Sequence, residues 1–272
     1  MNFICFNGDM VPSDQPVLTA QNRSFKYGDG VFETIKLLKG RILLGPLHFD
    51  RLLFSLKLLD INHEADIPLK FSGKIYELCN LNRCTDLARV RLAVFRNADN
   101  QAEYIIEAFS IEPSVNNFNE TGLLLGVYPD VRLSTDILSN IKTANFLPYL
   151  LAERYAKEHG WDDSLLLNEQ NKISETSKAN VFIITDGEIF TPALNQGCIN
   201  GVMRVFLIEK LIEMDIPVHQ VILSTDDLRN ADELFITNSI IDIKWVRSFK
   251  EKKFNCNKVR EIFKYVFSAT YD

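Results

Sequence analysis

No window of the chain approaches 18 uninterrupted apolar residues, no CxxC pair occurs, and there is no internal repeat, no low-complexity tract and no excess of positive charge. Each absence removes a class. Without a long apolar run, no helix is expected to span a bilayer. The first residues, MNFICFNGDMVP, have neither the basic region nor the apolar region of a secretion signal, so a cytoplasmic protein is expected. A formal net charge of -6 argues against nucleic acid or an anionic membrane as partner. Cys5, Cys79, Cys84, Cys198 and Cys256 are scattered and odd in number, which reads as reduced thiols in a cytosol. The spacing from Cys79 to Cys84 does not suit a zinc pair and only 4 His are present, so no metal site is expected.

What is present is an ordinary globular mixture. The 272 residues fit one large domain or two modest ones, and a 46% hydrophobic fraction provides a core without staples. Glycine turns between apolar flanks mark hairpins at Asn7-Gly8, Lys39-Gly40 and Asp186-Gly187; the last is the strongest, because Asp-Gly accepts the positive φ of a type I′ turn. Helices are expected over about 46–60, 69–81, 147–159 and 202–214, with a last one from about 257. Pro46 suits a first helical turn and Gly160 a position just past a helix end. The polar, turn-rich stretch 112–122 (EPSVNNFNETG) reads as a linker between a domain at 1–111 and a larger one at 123–272. Short hairpins mixed with helices argue for an α+β fold rather than a doubly wound parallel sheet.

Four places could carry chemistry. Lys142, in SNIKTANFL, has mostly uncharged neighbours; such surroundings lower an amine pKa, as Schiff-base chemistry needs, although a packed stem with its head in water is the plainer reading. Arg51 shares a stripe with Leu47, Phe54 and Leu58 by spacings of three and four, which should face the core. A guanidinium there wants an anion, and its fork suits phosphate; a snorkelling side chain or an internal salt bridge are the alternatives. Gly201 opens the helix at 202–214, where backbone N–H groups form an anion site. A strand at 234–237 ends in Asn238-Ser239, which caps, binds an anion or simply turns the chain. With the lone carboxylate Glu175 on the approach to the strand at 181–184, these are the requirements of pyridoxal phosphate: a lysine for the aldehyde, a carboxylate for the pyridine nitrogen, and an arginine and a helix N-terminus for the phosphate.

At this point the sequence resembles the class IV aminotransferases, the fold-type IV pyridoxal phosphate enzymes, which include branched-chain aminotransferase, D-amino acid aminotransferase and aminodeoxychorismate lyase. The resemblance rests on Glu175, Ser177, Asn180 and Phe182, then Thr191, then INGVMR ending in Arg204. It extends to YGDGVFET (27–34), HFDRL (48–52) and KTANFL (142–147), so it spans nearly the whole chain. What it implies is two α/β domains with the cofactor in the cleft between them, and a homodimer in which a loop of one subunit closes the other's site. Carried over, Lys142 looks like the lysine that binds the cofactor and moves the proton between Cα and C4′. Glu175 looks like the pyridine-nitrogen partner and Arg51 like the phosphate clamp. Val202 and Met203 would offer backbone amides to the phosphate and Ser239 its hydroxyl. Tyr27 resembles a substrate-pocket residue, and Arg96 is the candidate ligand for a substrate carboxylate.

The implied activity is transfer of an amino group between an amino acid and a 2-oxo acid, with branched-chain-like or D-amino-acid-like substrates. The alternative is an aminodeoxychorismate lyase releasing p-aminobenzoate and pyruvate. FET at 32–34, GVMR at 201–204 and TNS at 237–239 lean toward the lyase. The absence of a second arginine after Arg96, in VFRNADNQAEY, leans toward the transaminase. Two departures from the transaminase pattern stand out: Met203 replaces a common Thr, and Phe146 replaces the Tyr that bonds the cofactor's O3′ in branched-chain enzymes.

Overall fold

A computed structural model describes residues 2–271, apart from the side chains of 268–271. The chain divides into two compact units, Met1–Ser114 with Ile141–Asn145, and Val115–Asn140 with Phe146–Asp272. The division falls inside the expected linker. The short segment around Lys142, placed by the sequence reading in the second domain, belongs to the first unit.

The first unit contains β1 (Phe3–Phe6), β2 (Asp9–Pro12), α1 (Arg23–Tyr27), β3 (Gly30–Leu38), β4 (Arg41–Ile42), α2 (Gly45–Leu58), α3 (Ile67–Leu81), β5 (Leu87–Arg96) and β6 (Ala102–Ser110). Its strands form one sheet in the order β2-β1-β6-β5-β3-β4, and every pairing is antiparallel. Asn7 and Gly8 turn β1 into β2, and Lys39 and Gly40 turn β3 into β4, all at positive φ as the hairpin reading requires. One face of the sheet (Val31, Ile35 and Leu37 of β3, Val90, Leu92 and Val94 of β5) packs with Leu52 and Leu56 of α2 and Phe71, Ile75 and Leu78 of α3.

The buried stripe of α2 is Gly45, His48, Phe49, Leu52, Ser55 and Leu56, not the expected Leu47-Arg51-Phe54-Leu58 row; Phe54 is 59% exposed. Both rows have helical spacing. The winning row contains two polar side chains that find partners inside: His48 bonds Glu33, and the Ser55 hydroxyl donates to the Arg51 carbonyl at 2.6 Å. Hydrophobic periodicity alone ranks His48 and Ser55 as surface residues, which is why it selected the wrong face.

The second unit contains β7 (Leu123–Leu133), α4 (Leu147–Glu158), β8 (Asp163–Asn168), β9 (Ile173–Thr176), β10 (Asn180–Thr185), β11 (Glu188–Pro192), α5 (Val202–Glu213), β12 (Val218–Val221), α6 (Thr225–Asn230), β13 (Glu233–Asn238), β14 (Asp242–Phe249), β15 (Lys252–Lys253) and α7 (Asn257–Tyr271). They form a nine-stranded sheet in the order β12-β11-β10-β13-β14-β7-β8-β9, with β15 paired to β14. The Asp186-Gly187 turn joins β10 to β11 with φ of 51° and 82°. Three pairings are parallel, β11 with β12, β14 with β7 and β7 with β8. Hairpin signals cannot reveal these, because two of them are closed by crossover helices: α4 between β7 and β8, and α5 between β11 and β12. The fold is α+β as expected, with a mixed second sheet. Among the described residues, no helix is long and apolar enough to cross a membrane.

Candidate active site

Lys142 is held by backbone pairing. The Phe32 N–H donates to the Lys142 carbonyl and the Ala144 N–H to the Gly30 carbonyl, both at 2.9 Å, so Ile141–Asn145 lies as a short bridge along the start of β3. Ile141 anchors it in the first unit's core. Gly28 has φ +66° and a Cβ there would overlap the Asn145 side chain, so the turn before β3 needs a glycine. The outcome is that Lys142 Nζ lies 4.7 Å from the centre of the Phe32 ring, on which the Arg91 guanidinium also packs at 4.0 Å. The lysine is half-buried on an aromatic surface.

On the opposite face of β3 sits an ionic group. Glu33, 2% exposed, accepts from Arg51 Nε at 2.8 Å and Nη2 at 2.5 Å, a two-pronged pair, and from His48 Nδ1 at 2.6 Å. Burial pulls the Glu33 carboxyl up, but the charge of Arg51 and the bonds from His48 and Arg51 outweigh it and hold it at about 2. Burial pushes His48 below its usual range against the attraction of Glu33, so the neutral imidazole donates through Nδ1. The internal salt bridge, one alternative for Arg51, is therefore present. It fixes the arginine's orientation and does not by itself decide what the rest of the fork meets.

The second unit gathers the other candidates around Glu175. This carboxylate is 3% exposed on β9, and the polar residues around it are buried with it: Ser174, Thr176, Ser177 and Asn180 are each 5% exposed or less. Ser177 donates to Asp163 Oδ1 at 2.5 Å, so the chain turns inside the protein between β9 and β10. Glu175 Oε1 accepts from the Tyr149 hydroxyl at 2.8 Å and the Ile199 N–H at 3.0 Å, while Oε2 accepts from Asn180 Nδ2 at 3.3 Å. Asn180 also donates to the Ile199 carbonyl at 2.9 Å and packs against Gly201, where a Cβ would overlap it. Gly201 opens α5, a 12-residue helix with no side-chain cap and no acidic residue in its first turn. The start of α5, with the amides of Val202 and Met203, is thus a positive helix terminus left to an outside anion. Arg204 turns away from it, donating to the Pro192 carbonyl and Gln220.

Other expected residues stand differently. Arg96 is heavily engaged: its guanidinium donates to Asp29 at 3.0 Å, to the carbonyls of Asp60 at 2.9 Å and Leu59 at 2.5 Å, and to the Asn100 side chain. At the end of β5 it ties the loops following α2 and β5 together. Arg91, five residues earlier, meets Glu107 only at 3.7 Å and lies over the ring that Lys142 covers. Tyr27, at the end of α1, is 64% exposed, with Arg23 stacked 5.5 Å from its ring. Asn238 is spent on its own turn, accepting from the N–H groups of Ile240 and Ile241, which leaves half-buried Ser239 beside it. A cavity of about 500 Å³ past the end of α2, lined by Leu53, Lys57, Asp60 and His63 among others, includes none of these residues.

A lysine on an aromatic surface, a buried carboxylate with converging donors and an open helix N-terminus are set on a chain whose residues 30–249 match the family described as amino-transferase class IV. The chain belongs to the class IV aminotransferases. It is 30% identical to a protein of Methanocaldococcus jannaschii to which branched-chain-amino-acid aminotransferase activity is attributed, over 96% of this chain and 92% of that protein. It is 27% identical to the D-alanine aminotransferase of Listeria monocytogenes, over 88% of this chain and 85% of that enzyme. The structure superposes on the branched-chain amino acid aminotransferase of Escherichia coli with a TM-score of 0.87 and 25% identity, covering 98% of this chain and 93% of that one. Class IV aminotransferases are pyridoxal phosphate enzymes acting on amino and keto acids, and this chain is an aminotransferase of that kind. The residues present fit the cofactor: the uncapped start of α5 suits its phosphate, and buried Glu175 suits its ring nitrogen.

Sequence reasoning missed Glu33, His48 and Tyr149 as parts of these constellations, and among the arginines of β5 it favoured Arg96 over Arg91. Glu33 and His48 were inside the quoted motifs, and their spacing to Arg51 carries the signal once β3 and α2 are known to pack together. Nothing local in the sequence marks Tyr149.

Proposed function

We propose that this aminotransferase moves the amino group of a small amino acid with a predominantly apolar side chain to a 2-oxo acid, with Lys142 as the residue that binds the cofactor and transfers the substrate's Cα proton. The observation that supports the reading is Lys142 Nζ lying over the Phe32 ring, on a segment whose backbone is held to β3 by two hydrogen bonds. Bound pyridoxal phosphate supplies the electron sink that makes a Cα–H bond breakable. The chain supplies the rest. The Val202 and Met203 amides, Arg51 and the Ser239 hydroxyl would hold the phosphate, Glu175 would hold the ring nitrogen, and the Lys142 amine would accept and return the substrate's Cα proton. Arg91, packed on the same ring as Lys142, takes over from Arg96 as the candidate ligand for a substrate carboxylate.

Support for a small apolar substrate comes from the relatives, one named for branched-chain amino acids and one for D-alanine. The assembly is a homodimer in the cytoplasm. Support for the dimer comes from Leu147, Leu150 and Leu151, 63%, 55% and 37% exposed along α4, an apolar strip that a second copy would cover. Exposed Tyr27 then serves a site completed by two chains. Support for the compartment comes from the free state of all five cysteines.

Adding single D- and L-amino acids to the cofactor-loaded protein, without any oxo acid, tests the reading. Conversion of the cofactor's absorbance band to that of the amine form identifies the donor and its hand. A protein that holds the cofactor and converts with no amino acid overturns it.

A further inference from the structure

The buried acid on β9 has a partner that no local feature of the sequence marks. Tyr149 sits in the first turn of α4, its ring stacked on Phe146 with centroids 4.2 Å apart and planes 14° from parallel. Stacking fixes the ring and therefore the direction of the hydroxyl, which points at Glu175 Oε1 from 2.8 Å. Burial first, then the nearby charge of Glu175 and its hydrogen bond, raise Tyr149 well above the ordinary tyrosine range, so the phenol keeps its proton and acts only as donor. A plain packing role explains the ring but not the hydroxyl. A phenylalanine would stack equally well, and it would not place a polar atom in a buried site.

We propose that Tyr149 is a positioning residue that sets the basicity and orientation of Glu175 toward the cofactor's ring nitrogen. This rests on the reading of Glu175 as the partner of that nitrogen. The chemistry is that of a shared proton. A carboxylate that already accepts from a phenol and from the Ile199 N–H has less electron density to offer, so the proton between it and a pyridine nitrogen stays on nitrogen. A protonated ring draws electrons from the substrate carbon more strongly than a neutral one. Without the phenol, Glu175 becomes the stronger base, loses one of the contacts that fix its plane, and pulls the proton toward oxygen. Asn180 cannot compensate, because its amide bonds the other oxygen, at 3.3 Å, and the Ile199 carbonyl.

The test uses the protein loaded with pyridoxal phosphate labelled with ¹⁵N in the ring, in wild type, Tyr149→Phe and Glu175→Gln. The ¹⁵N chemical shift reports where the proton lies, independently of turnover. Expected for Tyr149→Phe is a shift toward the neutral-pyridine value, with kcat about tenfold lower and KM changed much less, the size expected for loss of one hydrogen bond to a charged group. Fluorotyrosine at position 149, a stronger donor of nearly the same shape, is expected to move the resonance the other way, which covers the case of a poorly folded phenylalanine variant. If Glu175→Gln moves the resonance while Tyr149→Phe and the fluorotyrosine protein do not, the role of Tyr149 is overturned and that of Glu175 stands. If Glu175→Gln leaves the resonance in place, the assignment of Glu175 fails and the proposal fails with it.

Discussion

The side-chain oxygen of Asn180 occupies the space that a Cβ on Gly201 would need. The same amide bonds the Ile199 carbonyl and Glu175, so one side chain joins the buried acid to the opening of α5. Gly201 has an ordinary φ of -62°, and its requirement is therefore for space rather than for backbone freedom. Gly201→Ala is expected to push Asn180 off its partners, lowering stability by about 1–3 kcal/mol and loosening the cofactor. Chemical denaturation and cofactor release rates measure both. Combining it with Asn180→Ala should restore part of the loss in stability; additive losses would show that the two residues do not compete for the same space.

Stability should fall with acid in two steps set by the group around Glu33. His48 has a lowered pKa in the folded protein, so the unfolded chain takes up the proton first and stability declines as pH falls below about 6.5. Glu33 is held at about 2 against a usual 4.5, so its contribution is complete above pH 4.5 and is lost as pH falls toward 2. That depression corresponds to roughly 3 kcal/mol. Denaturation midpoints measured from pH 8 to pH 3 check the sign, and Glu33→Gln should flatten the lower step.

Lys142→Ala should abolish any cofactor adduct that borohydride can fix, while non-covalent cofactor binding persists at reduced affinity. Mass spectrometry of the reduced protein decides it. An adduct surviving in the variant would move the covalent role to another lysine.

Arg91 and Arg96 lie on the same strand and should separate cleanly. Arg96→Ala removes donors from Asp29, Leu59, Asp60 and Asn100, and is expected to cost on the order of 2 kcal/mol of stability. Arg91→Gln should leave the melting temperature nearly unchanged and raise KM for the amino acid about tenfold or more. The opposite pattern would restore Arg96 as the substrate ligand.

Local physics made much of this legible. The three hairpin turns, Pro46 and Gly160 announced element ends because their backbone demands are local. Glu175 and Lys142 stood out against uncharged neighbours, and the spacing of the motifs carried the family resemblance. The pairing of parallel strands was not legible, because it depends on crossovers rather than on turns. The buried face of α2 was misread, because His48 and Ser55 are core residues only once Glu33 and the Arg51 carbonyl are beside them.

The sequence by itself determined which residue types the chemistry has to work with and where the elements start and stop, since turn geometry, helix termini and hydrophobic spacing act over a few residues. Only the tertiary structure decided that Arg96 is tied up in hydrogen bonds while Arg91 packs on the ring that Lys142 also covers, and that a tyrosine in the first turn of a helix meets an acid 26 residues away. Those outcomes depend on side chains brought together from distant segments and on which buried polar atoms find partners there, and no local rule contains that information.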